Sequence, residues 1–164
     1  MKKIIDGKTL PVFFHDLVDE NFEELNFATP CVRYYIFTLL LDFPKKFLQI
    51  HRIIERKDKN FFFNWAKILT RKEIFFYKGK ELGDFSLFSL GFFQEHFKEE
   101  DFYTSIGKKG YHFASIYYEK NKETLRNLSE NFEGCVCGLR RIRSEMALRK
   151  DLESFLEGRK DLYL

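Results

Sequence analysis

The stretch Gly83-Asp84-Phe85-Ser86-Leu87-Phe88-Ser89-Leu90-Gly91-Phe92-Phe93 limits what this chain can fold into more than any other. From Phe85 to Phe93 only two serines and one glycine interrupt bulky apolar side chains. On a helix over 84–98, Asp84, Phe88, Gly91 and Glu95 share one stripe. Phe85, Ser89, Phe92 and His96 share the next, and Leu87, Leu90 and Phe97 a third. Apolar residues on every side mark a helix enclosed by others. Ser86, Ser89 and Gly91 let neighbours come close. Gly91 costs about 1 kcal/mol of helix propensity against Ala, which close packing can offset. Residues 101–119 supply a matching groove, where Gly107, Gly110 and Ala114 recur at steps of three and four, bordered by Tyr103, Tyr111 and Phe113.

The other segments read as helices too. Residues 1–15 are expected to be extended, because Asp6-Gly7 signals a turn and Thr9-Leu10-Pro11-Val12 is poor helical text. An acidic amphipathic helix is expected over 16–26. Thr29-Pro30 reads as a cap followed by proline in the first turn, starting a helix that runs to about Asp42 and resumes after Pro44 to about Arg56. A further helix is expected over 61–77, with a break at Gly79–Gly83. In residues 122–146, Leu125, Leu128, Phe132, Cys135, Leu139, Ile142 and Met146 keep alternating steps of three and four, an a/d seam. It serves either antiparallel packing inside the bundle or self-association. Gly134 and Gly138 sit one turn apart there and either permit close approach or break the helix. A peripheral tail follows over 148–164. The expected fold is a single all-α domain of six or seven helices with 84–98 at its centre.

Bulk properties exclude several classes. A chain of 164 residues is one domain by the length prior and can bury a real core. With 45% hydrophobic and 32% charged residues it is not a disordered chain. A net charge of only +3 provides no global nucleic-acid footprint. No long window is free of charge, so no membrane-spanning helix is expected. The opening Met1-Lys2-Lys3-Ile4-Ile5-Asp6 is not the core of a signal peptide. Three cysteines argue against a disulfide framework. Together these features lead to an expectation of the cytoplasm.

Catalytic and metal signatures are missing. Cys135 and Cys137 are spaced C-x-C, with only Cys31 elsewhere, which does not make a zinc site. A di-iron bundle needs Glu-x-x-His on two helices, and none of His15, His51, His96 or His112 has an acid three residues before it. Asp84 and Glu95 lie roughly 16 Å apart along one helix, too far for a glycosidase pair. No phosphate-binding glycine loop, nucleophile elbow or zincin motif occurs. No cofactor, metal or catalytic residue is therefore expected. Asp84 after Gly83 reads most simply as a helix N-cap; if the helix starts earlier, it is a semi-buried acid needing a partner.

The run Gly83-Asp84-Phe85-Ser86-Leu87-Phe88, with Gly91-Phe92-Phe93, Glu95, Phe102-Tyr103, Gly107 and Tyr111, resembles the signature of an uncharacterised family of small all-helical bacterial proteins. Tyr34-Tyr35 to Leu41 and Leu128 to Glu145 resemble its flanking helices. A proline often stands in that family where Gln94 stands here. The resemblance implies a helical fold and brings no activity with it.

Three functional readings follow. The first is a non-enzymatic interaction or regulatory protein, acting on a protein partner or a second copy through the seam of Leu125, Leu128, Phe132, Leu139 and Ile142. The second is a small-molecule-binding protein, or an enzyme, with an interior pocket lined by Asp84, Glu95, His96, Tyr103 and Tyr111. The third and weakest is a nucleic-acid binder using Lys45, Lys46, Arg52, Arg56, Lys57 and Trp65, with Arg140 and Arg141 as a second cluster. Basic charge beside aromatics can hold a strand by stacking. A membrane role is not among them.

Overall fold

The structure is a computed structural model that describes residues 4–5, 8–42, 45–46, 50, 52 and 72–148. Among these residues the chain is all-α apart from one small hairpin. Strands β1 (Ile4–Ile5) and β2 (Lys8–Thr9) pair antiparallel, Ile4 opposite Thr9 and Ile5 opposite Lys8. The expected Asp6-Gly7 turn lies outside the described residues, as do residues 149–164 of the expected tail, most of the helix expected from Pro44 to about Arg56 and the first part, 61–71, of that expected over 61–77.

Helix α1 (Leu10–Phe22) starts six residues before the expected one and replaces the second part of the expected extended segment. Pro11 falls in its first turn, where backbone N–H groups have no intrahelical acceptor and the missing donor costs nothing. Leu10, Phe13, Phe14, Leu17, Val18 and Phe22 then form one buried stripe at steps of three and four. Helix α2 (Pro30–Leu41) begins as expected. The Thr29 hydroxyl accepts from the Val32 amide at 3.3 Å, a cap that contributes about 1 kcal/mol. Val32, Tyr35, Ile36, Leu39 and Leu40 face inward.

Helix α3 (Lys72–Phe92) corrects the expected break at 79–83 by running straight through it. Its partner α4 (Glu100–Tyr117) lies along it, and the glycines are where the two backbones meet. A Cβ added at Gly79 would stand 2.5 Å from the Gly110 carbonyl oxygen, and one at Gly110 would stand 2.5 Å from that of Gly79. Neither backbone can yield, so these glycines mark close approach rather than a stop. Leu87, Phe88, Leu90 and Phe92 are all buried, in keeping with a central helix. The helix ends at Phe92, short of the expected 98, and a single 3₁₀ turn (Gln94–His96) leads to α4.

The expected single helix over 122–146 is two: α5 (Lys122–Glu130) and α6 (Phe132–Leu148). The break falls at Asn131, whose side-chain amide donates to the Asn127 carbonyl at 3.2 Å and to its Oδ1 at 3.0 Å. Asparagine competes for backbone groups in this way and favours helix ends. The apolar seam nevertheless continues across the break into one core. Gly134 and Gly138 face Phe27 and Phe22 and permit close approach.

Candidate functional site

Asp84 is not a helix cap. It sits more than three turns inside α3 and is only 6% exposed. A carboxylate at such depth needs partners, and three helices provide them. The Tyr35 hydroxyl, from α2, donates to Asp84 Oδ1 at 2.5 Å, and the Tyr111 hydroxyl, from α4, donates to the same oxygen at 2.8 Å. The other oxygen, Oδ2, accepts from the Lys80 ammonium one turn earlier in α3, at 3.1 Å. Lys46 Nζ, from the segment after α2, stands 3.9 Å from Oδ2.

Local sequence explains each position. Tyr35 belongs to the buried stripe of α2 and Tyr111 to that of α4. Gly83 makes room for the Tyr111 ring, which lies where a Cβ would project. The two rings meet edge to face, with centroids 6.0 Å apart and planes at 83°. Lys80 Nζ also lies 5.3 Å from the centre of the Tyr35 ring, a cation–π distance. Burial pushes the ionisation of both phenols well above the usual tyrosine range, and the charge of Asp84 pushes it further. With two hydroxyls on one oxygen and an ammonium on the other, the carboxylate has its acceptor sites engaged. Its hydrogen bonds tie α2, α3 and α4 together.

Behind Lys46 a cleft of about 450 Å³ opens. Asp42, Lys45, Lys46 and Ile50 line it from the segment after α2, and Lys78, Glu81, Phe85 and Phe88 from α3. The four residues of α3 recur at steps of three and four and so share one face. They grade from charged at the mouth to apolar inside: Lys78 and Glu81 are exposed, Phe85 is half-buried, Phe88 is buried. Ile50 is buried opposite. Lys46 belongs both to this cleft and to the Asp84 cluster. A shallower hollow of about 270 Å³ lies between α1 and α2, around His15, Asp19, Arg33, Tyr34 and Phe37.

The structure unites only two of the five expected pocket residues, Asp84 and Tyr111. Glu95 and His96 are on the 3₁₀ turn beyond α3. Glu95 forms a two-pronged pair with Arg143 of α6, at 2.8 and 2.9 Å. That pair holds its carboxyl below the usual range. His96 is exposed, with Nε2 3.9 Å from Glu95. Tyr103 packs edge to face on Phe97 and Phe102. Glu95 and His96 lie away from Asp84 because α3 ends at Phe92, before either of them, while Tyr103 stands two turns before Tyr111 on α4. Sequence reasoning in turn missed Tyr35 and Lys80, and assigned Lys46 to nucleic acid. The usable signal was Lys80 four residues before Asp84, the spacing that pairs charges on a helix.

The expected interface residues Leu125, Leu128, Phe132, Leu139 and Ile142 have no exposed surface at all. They are core, which corrects their reading as a self-association seam: the chain's own α2 and α4 pack on α5, and its α1, α3 and α4 pack on α6. Of the basic residues, Arg56, Lys57 and Trp65 lie outside the described residues, Lys45 and Arg52 are exposed, and Arg141 is exposed on α6. Arg140 is engaged elsewhere: its Nε donates to the Leu90 carbonyl at 3.2 Å, near the end of α3, and its guanidinium to Glu100 at 2.9 Å. It ties α6 to α3 and α4, and so is not free to contact phosphate. Cys135 is buried, its thiol pushed up to about 12 by burial, while Cys31 and Cys137 are exposed. Among the described residues no three His, Cys, Asp or Glu side chains converge as metal ligands, and no helix is long and apolar enough to cross a membrane. No family model, curated protein or solved structure matches the chain.

Proposed function

We propose that this chain is a small-molecule-binding helical protein whose site is the cleft between α3 and the segment after α2. The observation that carries this reading is the double placement of Lys46, on the cleft wall and beside the buried carboxylate. Asp84 joins α2, α3 and α4, so the cleft is built on a wall held in position by a buried polar network. Its volume falls within the range of about 300–1,000 Å³ typical of ligand sites. The apolar interior and charged mouth match the usual division between affinity and orientation.

A protein-interaction role keeps some support among the described residues. Ile116, Tyr117 and Tyr118, at the end of α4, are each about half exposed, and clustered exposed aromatics suit a partner surface. Native mass spectrometry of the full chain isolated from its own cells separates the two readings. Retention of a small adduct by a single chain supports the cleft. A bare chain that travels with a second protein or a second copy supports the α4 surface and removes the first reading.

A further inference from the structure

We infer that the cleft takes an organic anion: an apolar body carrying a carboxylate, sulfonate or phosphate group that Lys46 receives. This rests on the small-molecule reading of the cleft and names its ligand class. The argument is one of charge and of unfilled donors. Around the cleft and its back wall stand Lys45, Lys46, Lys78 and Lys80, against Asp42, Glu81 and Asp84. Among the described residues one positive charge is left over, and Lys46 is the least exposed of the three lysines that line the cleft. Lys78 stands 3.7 Å from Glu81 on the same face of α3. Asp84 already accepts from Lys80 and from two tyrosine hydroxyls.

Lys46 is 3.9 Å from Asp84, beyond hydrogen-bond distance, and its ammonium has no hydrogen-bond acceptor among the described residues. Its side chain is only 24% exposed. A largely buried ammonium with unfilled donors is a ready receptor for an anionic oxygen, and such charge-assisted contacts are about twice as strong as neutral ones. Phe85, Phe88 and Ile50 then offer the apolar interior on which the body of the ligand lies. A neutral molecule would leave the Lys46 ammonium with only its longer contact to Asp84. A cation would meet a surplus of its own sign.

The test uses two dyes with one ring skeleton: anilinonaphthalene sulfonate, an anion, and phenylnaphthylamine, its uncharged counterpart. Binding to the full-length folded chain is followed by fluorescence, with melting curves to verify that each variant is folded. The sulfonate is expected to bind about tenfold or more tightly than the neutral dye, the scale of one charge-assisted contact. Lys46→Gln should remove that preference and leave the neutral dye unchanged, while the charge-matched Lys120→Gln on the surface should change neither. Should Lys46→Gln fail to fold, the wild type still decides: added salt should weaken the sulfonate and not the neutral dye. Equal binding of both dyes, lost together in Phe85→Ala, would overturn the anion and leave the cleft as an apolar site. A preference for the sulfonate that persists in folded Lys46→Gln would also overturn it. Failure of both dyes to bind would remove the cleft reading itself.

Discussion

Tyr35 and Tyr111 donate their hydroxyls to the same oxygen of Asp84, one from α2 and one from α4. Three helices are thereby fixed in register by one carboxylate. Apolar packing alone tolerates sliding and repacking. A buried acceptor with two assigned donors does not, because any shift leaves a hydroxyl without a partner at a cost of about 1–3 kcal/mol.

The shared oxygen predicts an order among substitutions. Asp84→Asn keeps an oxygen that both tyrosines can use and loses mainly the lysine contacts. Lys80 is 40% exposed, so that contact is screened by solvent and the loss should be about 1 kcal/mol. Asp84→Leu removes the acceptor of both hydroxyls and should cost about 2–4 kcal/mol. Urea midpoints measure the difference. Equal midpoints for the two variants would show that the tyrosines do not depend on this oxygen.

Alkaline pH should destabilise the fold through the same cluster. The folded-state ionisation of Tyr35 and Tyr111 is raised by burial and by Asp84. Their contribution is therefore complete below the unfolded tyrosine value of about 10 and is lost as pH rises from there toward the folded value. Each tyrosine adds a slope of about 1.4 kcal/mol per pH unit in that window. Stability measured across it should fall more steeply in the wild type than in Tyr111→Phe. Identical slopes would place the Tyr111 hydroxyl outside the buried cluster.

Helix propensity and packing make opposite predictions at Gly110. Gly→Ala inside an ordinary exposed helix stabilises by about 0.5–1 kcal/mol. Here the new methyl group would meet the Gly79 carbonyl oxygen. Gly110→Ala should instead destabilise by about 1–3 kcal/mol, the usual range for overpacking. A raised denaturant midpoint would mean that α3 and α4 do not touch at these glycines.

Leu139 has no exposed surface, and its Cβ lies 2.7 Å from where a Cβ on Gly91 would stand. Leu139→Asp would bury an unpaired carboxylate, which no core of this size accommodates. Loss of a cooperative melt is expected, with no change of subunit count beforehand. A well-folded monomer arising from a wild-type dimer would restore the seam as a surface between copies.

The enclosed central helix could be read from its own residues, because apolar groups all round a helix have one physical meaning. Gly107, Gly110 and Ala114 were legible as a groove for the same reason. The continuity of α3 through Gly79 and Gly83 was not, since a glycine that stops a helix and a glycine that admits a neighbour look alike until the facing Gly110 is in place. Asp84 shows the same ambiguity: cap and buried acid differ only in where the helix begins. The start of α1 was hidden by Pro11, which breaks a helix everywhere except in its first turn. The cleft left no local trace, because Lys46 and Ile50 come to Phe85 and Phe88 from a separate segment.

The most direct test of the cleft is a footprint of its lysines. The full-length chain is treated with an amine-acetylating reagent, with and without the small-molecule fraction of its own cells, and modification is read lysine by lysine. Lys45, Lys46 and Lys78 should be protected when that fraction is present, while the exposed Lys120 and Lys122, away from the cleft, react as before. Unchanged modification of all five, or equal protection of all five, would contradict the assignment of the cleft as a ligand site.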